Sequence, residues 1–351
     1  MPTSPVELLN REPAARVLIV RFSAIGDIIQ LSAVPAYLKA RWPACRVEWV
    51  TKASFALLVQ RIPGVDKVWA YDPRTGLSGL RGLAREVGKP LLLLDMHSVP
   101  RSLLLGTWVK ARYKVRYRKP YLRRALLFYF GYNSFASDYL VSKEFLRVIE
   151  ADYHRDATSG PQLVLAESDF AEARDVLAQG AFSFANYAAL VVGAAWPQKR
   201  WPSEYFVELG RCLWKSHGLA SLVLGGPEDT HGSAIATAIG PEALSVCGSA
   251  SLLASLALTS TATLVVGNDT GLMHGAEALG RDVAVILGPT SRETGAHPWR
   301  LGSTAIAIDL PCRPCSQKGD RPCQLPRQEC LLQLTPRRVL AAVSPYLQSS
   351  S

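Results

Sequence analysis

VLIVRFSAIGDIIQLSAVPAYLKA, residues 17–40, is the stretch that decides the fold. An apolar run at 17–20 leads through a polar turn into a pattern that is typical of an amphipathic helix. This strand–turn–helix order is the building unit of a parallel α/β sheet. Gly26 allows a tight turn, Asp27 lands in the first turn of the helix, and Pro35 marks a kink or a late helix start.

The same order recurs along the chain. The strand-like segments of the first half are VLIVRF, RVEWVT, KVWAYD and PLLLLDM, and helical patterns begin at Asp27, Ser54, Leu77 and Arg101. The strand-like segments of the second half are YAALVVGAAW, ASLVLGG, LSVCG, ATLVVGND and VAVILG, and helical patterns begin near Ser203, Asp229, Ser251 and Thr270. Such alternation predicts parallel strands that are buried on both faces, in two doubly wound domains.

The length supports two domains, since 351 residues are more than one compact core usually takes. The pattern breaks between about 155 and 185, so the joint is expected there. We therefore predict an N-terminal domain over 1–165, a C-terminal domain over 180–335, and a C-terminal helix or tail over 336–351.

The composition is that of an ordinary globular protein, with 48% hydrophobic and 19% charged residues. No apolar run approaches the ~20 residues that span a bilayer, and the N-terminal residues lack the layout of a signal peptide. We expect a soluble cytoplasmic protein.

The net charge of +10 is unevenly distributed. Residues 110–124, KARYKVRYRKPYLRR, hold eight basic residues, three tyrosines and no acidic residue. Such a segment attracts an anionic partner, either nucleic acid, a phosphorylated ligand or a membrane surface, or it is a solvated face that improves solubility. No nucleic-acid-binding module accompanies it, which disfavours that partner.

The cysteines are also unevenly placed. Three are isolated in apolar surroundings, whereas Cys312, Cys315, Cys323 and Cys330 share one C-terminal segment. A C-x2-C pair with two further cysteines suggests structural zinc, but six residues separate the second pair instead of the two to four that are typical of zinc motifs. Zinc, a redox-labile pairing and free thiols all stay open, and the spacing favours the thiols.

Ligands of open α/β sheets bind at the carboxyl ends of the strands. Asp27 follows the first strand and its turn, and as an isolated feature it is more typical of a helix cap or dipole partner than of a functional carboxylate. The turn has no G-x-G-x-x-G, so it is not built for a dinucleotide pyrophosphate, which disfavours a nicotinamide oxidoreductase.

Three further strand ends carry polar groups. GNDTGLMHGAEALG, residues 267–280, opens a helix whose free N–H groups suit a phosphate. AAWPQKRWPSEYF, residues 194–206, holds Lys199 and Arg200 in a proline-bounded loop that could neutralise a diphosphate. LGGPEDT places Glu228 where an acid can accept hydrogen bonds from ribose hydroxyls. A phosphate site, a cation and a ribose acceptor in one domain, with a carboxylate in the other, indicate a nucleotide-sugar transferase.

The sequence resembles the ADP-heptose:lipopolysaccharide heptosyltransferases, glycosyltransferase family 9. The resemblance covers nearly the whole chain and rests on S-x-x-G-D at 23–27, DMHSVPRS at 95–102, K-R-W-P at 199–202 and N-D-T-G-L-M-H at 268–274. It implies a GT-B fold, in which two Rossmann-like domains face each other across a cleft. The length and the cysteine-bearing segment are slightly more similar to the heptosyltransferase II branch.

The resemblance implies inverting transfer of heptose from ADP-L-glycero-D-manno-heptose to Kdo or heptose of the lipopolysaccharide inner core. By position, Asp27 matches the catalytic base and Lys199 the lysine that neutralises the leaving diphosphate. The residues that match donor-binding positions are Glu228, Asp269, Thr270, Gly271, Leu272 and His274. The candidates for acceptor binding are Ser23, Gly26, His97, Arg101, Arg116 and Arg118. No metal or other cofactor is required if cationic side chains and N–H groups stabilise the leaving group.

The acceptor also suggests a role for the basic segment. Inner-core lipid A carries phosphates and acidic sugars at the cytoplasmic face of the inner membrane, so residues 110–124 could hold both the acceptor and that surface. The alternatives are a transferase using another donor, a sugar-nucleotide epimerase, and a non-catalytic basic protein that binds membrane surfaces or nucleic acid.

Overall fold

A computed structural model describes residues 4–153, 160–290 and 292–348. The chain divides into two compact units, one of residues 1–120 and 140–164 and the other of residues 121–139 and 165–351. Each unit is built around one parallel sheet.

The first unit holds a five-stranded sheet. Its strands are β1 (Arg16–Val20), β2 (Arg46–Lys52), β3 (Lys67–Tyr71), β4 (Leu92–Asp95) and β5 (Tyr113–Arg116). Its α-helices are α1 (Pro5–Arg11), α2 (Ile25–Leu31), α3 (Ala33–Arg41), α4 (Ala56–Gln60), α5 (Gly76–Val87), α6 (Pro100–Trp108) and α8 (Val141–Arg147). A short 3-10 turn precedes each of α4 and α5.

The strand order in this sheet is β3-β2-β1-β4-β5, with every pair parallel. Val17 of β1 lies opposite Val47 of β2 and Leu92 of β4, and all three side chains are buried. The chain moves outward from β1 to β3 and then returns to the other side, so the topological switch point lies between β1 and β4. Ligands of this fold class bind at such a point.

The second unit holds a six-stranded sheet. Its strands are β6 (Tyr187–Val191), β7 (Ala220–Leu224), β8 (Ala243–Ser245), β9 (Leu264–Asn268), β10 (Ala284–Ile286) and β11 (Thr304–Ile306). Its α-helices are α7 (Tyr121–Phe130), α9 (Glu167–Gln179), α10 (Ser203–His217), α11 (His231–Ile239), α12 (Leu252–Thr261), α13 (Gly271–Ala278), α14 (Glu329–Leu332) and α15 (Pro336–Gln348). A 3-10 turn, Pro197–Lys199, follows β6.

The order of this sheet is β11-β10-β9-β6-β7-β8, again all parallel, so its switch point lies between β6 and β9. These two strands are buried along their whole length and approach closely at Gly267, where a Cβ would lie 2.2 Å from the carbonyl oxygen of Val191. Glycine is therefore required in β9 at that position.

The predicted alternation of strands and helices is confirmed in both halves, and the predicted C-terminal helix is α15, whose Val339 and Val343 are buried in the second core. The edge strands β5 and β11 were not predicted. The domain boundaries differ from the prediction. Residues 121–139 belong by their contacts to the second unit, although they fall inside the predicted first domain, and residues 166–179, which the prediction left between the domains, also belong to the second unit. Of the predicted joint, residues 154–159 lie outside the described residues.

Across the described parts of the chain, no helix combines the length and the apolar character that a membrane crossing needs.

Candidate active site

Asp27 lies in the first turn of α2, at the carboxyl end of β1. The N-cap of this helix is Ala24, so Asp27 is not the capping residue that the sequence pattern allowed. Gly26 also differs from expectation, because it lies within α2 and is not among the described glycines that adopt a positive φ. The Asp27 side chain is 47% exposed and forms an ion pair with the guanidinium of Arg21. The Asp27 carboxylate is therefore oriented by Arg21 and still accessible to a ligand.

Arg21, the partner of Asp27, is itself held in place by hydrogen bonds. Its side chain is only 5% exposed, and it donates hydrogen bonds to the carbonyl oxygens of Ser23 (2.8 Å) and Met96 (2.6 Å). The second bond reaches the segment that follows β4. Arg21 therefore ties together the two strand ends at the switch point, and the position of Asp27 depends on both.

His97 lies at the same switch point. Its Nδ1 accepts a 3.2 Å hydrogen bond from the backbone N–H of Phe22, so the neutral ring carries its proton on Nε2. Burial, with the nearby cations Arg21 and Lys119, lowers the pKa of His97 to about 3. The imidazole is neutral near pH 7, and it can donate a hydrogen bond from Nε2 but cannot supply a positive charge.

Asp95, at the end of β4, shapes the turn that carries His97. Its Oδ1 accepts hydrogen bonds from the N–H groups of His97 (3.1 Å) and Ser98 (3.0 Å), and the side chain is buried. Arg116 Nε lies 3.4 Å from Asp95 Oδ2. Asp95 is thus a structural anchor for the 95–102 segment and a partner for one cation of the basic segment.

The basic segment forms one wall of a cavity of about 470 Å³ in the first unit. Lys114, Arg116 and Arg118 alternate along β5 and just beyond it, and all three line this cavity. Since alternate residues of a strand share a face, the edge strand presents its cations together. Residues of α6, among them Gly106 and Thr107, also line the cavity, as does the acidic residue Asp95, which lies next to Arg116. The arrangement suits an anionic ligand.

Arg101 does not line this cavity. Its guanidinium carbon lies 5.5 Å from the ring centroid of Tyr71, in a cation–π contact at the end of β3. Of the three predicted acceptor arginines, the structure therefore brings together Arg116 and Arg118 and leaves Arg101 apart from them.

In the second unit, Lys199 and Asp269 form a nearly buried ion pair at the switch point. The Lys199 Nζ lies 2.6 Å from Asp269 Oδ2 and donates a 3.2 Å hydrogen bond to the Asp269 carbonyl oxygen. The two side chains are only 15% and 12% exposed. One residue follows β6 and the other follows β9, so the pair spans the two central strands.

The carboxylate of Asp269 is kept ionised by its neighbours. Burial on its own would raise the pKa of Asp269, but the Lys199 ammonium, His274 and the Thr290 hydroxyl together hold that pKa below its usual range. Thr290 Oγ1 donates a 3.1 Å hydrogen bond to Asp269 Oδ2. Asp269 therefore fixes the ammonium group through a charge that persists at neutral pH.

The helix α13 begins directly after this pair. Thr270 is its N-cap and accepts a hydrogen bond from the N–H of Leu272 through Oγ1, at 3.2 Å. Gly271 is the first helical residue, and His274 lies one turn along. The positive end of α13 and the Lys199 ammonium are thus neighbours, an arrangement that favours an anion such as a diphosphate.

Asn268 organises the loop that carries Lys199, a role that the sequence pattern did not indicate. It is fully buried, its amide nitrogen donates to the Val192 carbonyl oxygen (2.7 Å), and its Oδ1 accepts from the N–H of Trp201 (2.9 Å). The end of β9 is thereby fastened to both ends of the 193–201 loop.

Glu228, the predicted ribose acceptor, is exposed, whereas its neighbour Asp229 is buried. Asp229 Oδ2 accepts a 2.8 Å hydrogen bond from the N–H of Gly226, and Oδ1 lies 3.3 Å from Arg200 Nη2. At Gly193, a Cβ would lie 2.3 Å from Asp229 Oδ2, so that glycine makes room for the carboxylate. Asp229 therefore joins the β7 turn to the Arg200 side of the loop.

The C-terminal cysteine segment borders the same loop. Gln328 donates a hydrogen bond to the Gln198 carbonyl oxygen, and a Cβ on Gly319 would lie 2.7 Å from Lys199 Cγ. The four cysteines, Cys312, Cys315, Cys323 and Cys330, line one small cavity and are unpaired. Burial raises the pKa of Cys330 to about 11 and that of Cys315 in the same direction. Among described residues, no three His, Cys, Asp or Glu side chains are arranged to hold a metal ion.

Comparison with known proteins shows which family and which solved structures this chain is similar to. The family model for glycosyltransferase family 9 (heptosyltransferase) matches residues 92–325. The lipopolysaccharide heptosyltransferase 1 of Pseudomonas aeruginosa is 26% identical over 95% of this chain and 98% of that protein. The glycosyltransferase family 9 protein of Veillonella parvula superposes with a TM-score of 0.79 at 18% identity, covering 96% of this chain and 98% of the other. The Escherichia coli ADP-heptose lipopolysaccharide heptosyltransferase II gives a TM-score of 0.75 at 20% identity, covering 95% and 99%.

Proposed function

The chain belongs to glycosyltransferase family 9, the heptosyltransferases, and we propose that it moves heptose from ADP-L-glycero-D-manno-heptose to the lipopolysaccharide inner core, with inversion. The acceptor sugar is Kdo or heptose. The observation that carries the proposal is the nearly buried Lys199 ammonium beside the first turn of α13. The family match and the heptosyltransferase relatives support the donor and the acceptor.

Asp27 is the proposed catalytic base. A sugar hydroxyl is a poor nucleophile near neutral pH, so a carboxylate within hydrogen-bond reach must accept its proton as the new bond forms. Arg21 fixes the orientation of Asp27, while half of that side chain remains accessible to the acceptor. One carboxylate and one displacement invert the anomeric centre, because no covalent glycosyl-enzyme intermediate intervenes.

Lys199 is the proposed stabiliser of the departing ADP. Negative charge grows on the diphosphate as the bond to the anomeric carbon breaks, and a fixed cation in a site shielded from water stabilises that charge strongly. Asp269 holds the ammonium through one carboxylate oxygen and its carbonyl oxygen. The third proton of the ammonium and the N–H groups of α13 are then the groups that meet the phosphates.

The remaining donor contacts follow from their positions. Thr270, Gly271, Leu272 and His274 belong to the first turns of α13, where backbone and side chains can meet the diphosphate. Glu228 remains the proposed ribose acceptor, since an exposed carboxylate in the β7 turn is free to accept from hydroxyl groups. Asp229 holds that turn in place by accepting a hydrogen bond from the N–H of Gly226.

The cavity lined by Lys114, Arg116 and Arg118 is the proposed site for the acidic part of the acceptor. Kdo carboxylates and lipid A phosphates are anions that guanidinium and ammonium groups recognise. His97 and Ser23 lie beside Asp27 and are proposed to contact the accepting sugar. Because the acceptor sits in a membrane leaflet, we place the protein in the cytoplasm, peripherally associated with the inner membrane.

The test is a transfer assay with the purified full-length protein. Donor-dependent ADP release is measured with ADP-heptose and, in parallel, with UDP- and GDP-sugars, using Kdo-terminated and heptose-terminated cores as acceptors. The proposal expects release only with ADP-heptose and a product of inverted anomeric configuration. Turnover with a UDP- or GDP-sugar instead would favour the alternative, a GT-B enzyme with another donor.

Mass spectrometry of lipopolysaccharide from a strain lacking the protein identifies the step. A core that stops at Kdo assigns the first heptose, and a core that stops at one heptose assigns the second. An unchanged core would overturn the acceptor proposal.

A further inference from the structure

The helix α7 and the turn after it expose an unusual amount of apolar surface. Among the described residues, five of the twelve large apolar side chains that are exposed lie within residues 121–132. They are Tyr121, Leu122, Tyr129, Phe130 and Tyr132, exposed by 62–77%. Single exposed apolar residues are ordinary, but a contiguous group of this kind marks a binding surface.

The helix is anchored on its opposite side. Leu127 is buried and packs with Phe135 and Tyr139 in a small separate cluster. At 100° per residue, Leu122 and Tyr129 share one stripe of α7 that points away from Leu127. The exposed Tyr121 and Phe130 flank this stripe on its two sides. The outward stripe is therefore left uncovered while the inner one is held to the protein.

One exposed ring is held in place. Arg321 lies over the ring of Tyr129, with its guanidinium carbon 4.5 Å from the centroid, and its Nη2 donates a 2.7 Å hydrogen bond to the Tyr129 hydroxyl. The contact keeps an aromatic side chain and a cation side by side at the surface. An aromatic ring beside a cation is the combination found at membrane interfaces.

The charge of this region has one sign. Residues 121–137, the part of this segment that belongs to the second unit, contain two basic residues and no acidic one. Arg123 is exposed on α7, and Arg321 lies over Tyr129. Such a surface is complementary to an anionic one, and a basic helix with exposed aromatic and leucine side chains lies in the plane of a lipid headgroup layer.

We propose that α7 inserts its outward stripe, together with the flanking Tyr121 and Phe130 and with Tyr132, into the headgroup–acyl boundary of an anionic bilayer. This deepens the proposed function, since it rests on an acceptor that is embedded in a membrane. The helix lies on the membrane and does not span it. The apolar side chains supply the depth of insertion, and the exposed Arg123, with Arg321 beside Tyr129, supplies the preference for anionic lipid.

The test is co-sedimentation of the full-length protein with phosphatidylcholine vesicles, with and without phosphatidylglycerol. We expect binding that needs phosphatidylglycerol and falls as salt is raised. The double variant Leu122→Ser/Phe130→Ser should lower vesicle partitioning by at least about tenfold. The matched control Leu57→Ser/Leu301→Ser, which removes two exposed leucines elsewhere, should leave partitioning unchanged.

Two results would overturn the proposal. One is that the α7 variant and the control variant do not differ, either because both lose vesicle partitioning equally or because both retain it. The other is a dimer, detected by light scattering, that the α7 variant converts to a monomer while vesicle binding persists, since this would make the stripe an interface between two copies.

The vesicle assay uses no sugar donor, so its outcome is separate from that of the transferase proposal. With a water-soluble, delipidated acceptor, the α7 variant should release ADP at the wild-type rate. Intact vesicle binding by a protein that transfers no heptose would leave this inference standing and overturn only the proposed function.

Discussion

The buried guanidinium of Arg21 forms an ion pair with the half-exposed carboxylate of Asp27. Both residues belong to the segment that follows β1, and Arg21 also donates to the Met96 carbonyl oxygen after β4. The carboxylate is thus attached to two neighbouring strands of the sheet and not only to its own helix. A base must be held in place to act, and these contacts hold Asp27.

We expect Asp27→Asn to lower kcat by about 10²- to 10⁴-fold, because the amide cannot accept the acceptor's proton. Donor binding should be unchanged, since Asp27 belongs to the unit that the proposal assigns to the acceptor. ADP release and donor affinity by calorimetry measure the two effects separately.

The matched control is Asp72→Asn, which neutralises a partly exposed carboxylate that is also paired with an arginine, Arg74. It should retain full activity. If Asp27→Asn retained it as well, Asp27 would not be the base, and the non-catalytic alternative would gain support.

Lys199→Gln should lower kcat by about 10²- to 10³-fold, because the departing diphosphate loses a fixed positive charge. The control is Lys215→Gln, an exposed lysine at the end of α10 in the same unit. Steady-state kinetics with ADP-heptose would show the difference. A loss confined to donor KM would mean that Lys199 binds ground state and transition state equally.

Asp269→Asn should lower the free energy of unfolding, on the order of 3–5 kcal/mol, since it leaves the nearly buried Lys199 ammonium without its counter-charge. Urea denaturation of this variant, of Lys199→Gln and of the double variant gives the coupling between the two side chains. Additive effects in that cycle would show that the pair does not act as a unit.

Lys114→Gln/Arg118→Gln should raise the acceptor KM by about tenfold or more and leave the donor KM unchanged, because two cations of the cavity are removed. Arg116 is kept, since it neighbours the buried Asp95 carboxylate. The control Arg81→Gln/Arg85→Gln removes two exposed arginines of α5 in the same unit. An equal KM increase in the control would indicate general charge attraction and no specific acceptor site.

Local signals were enough to identify some of these residues. Asp27, Lys199 and Asp269 each follow a short apolar run, and in a parallel sheet the carboxyl ends of the strands share one edge. Their positions could therefore be predicted from the order of strands and turns alone. What could not be predicted is that Lys199 and Asp269 are direct partners, because their contact joins positions 70 residues apart in the sequence.

The supporting residues escaped prediction for the same reason. Arg21 resembles any basic residue after a strand, and its burial depends on a carbonyl group 75 residues away. Asn268 and Trp201 are joined across 67 residues. The edge strand β5 lies in the basic segment, where cations alternate with partly buried side chains. Because a strand is usually recognised by alternating polar and strongly apolar residues, this charged segment was not predicted as one. The second unit begins at residue 121, inside a basic segment that continues to Arg124, so nothing in the sequence indicates the boundary.

Glu277 is a buried acid of α13. Its side chain is 1% exposed, and Oε1 accepts hydrogen bonds from the N–H groups of Trp299 (2.9 Å) and Arg300 (3.0 Å). Burial raises the pKa of Glu277 to about 7, although the two N–H groups act in the opposite direction. The unfolded chain has the ordinary glutamate pKa of about 4.3, so between about pH 4.3 and 7 the folded protein binds more protons. The free energy of unfolding must then fall as the pH rises through that window.

Glu277→Gln should remove this pH dependence, because a neutral amide oxygen can accept from the same two N–H groups at every pH. We expect the variant to exceed the wild type in stability at pH 8, by on the order of 1–3 kcal/mol, and to match it near pH 4.5. Urea denaturation at both pH values measures the difference. The control is Glu208→Gln, at an exposed glutamate of α10, which should leave the free energy of unfolding unchanged at both pH values. A Glu277→Gln variant that is less stable than the wild type at pH 8 would mean that the ionised carboxylate is the favoured form in the fold, contrary to the burial argument.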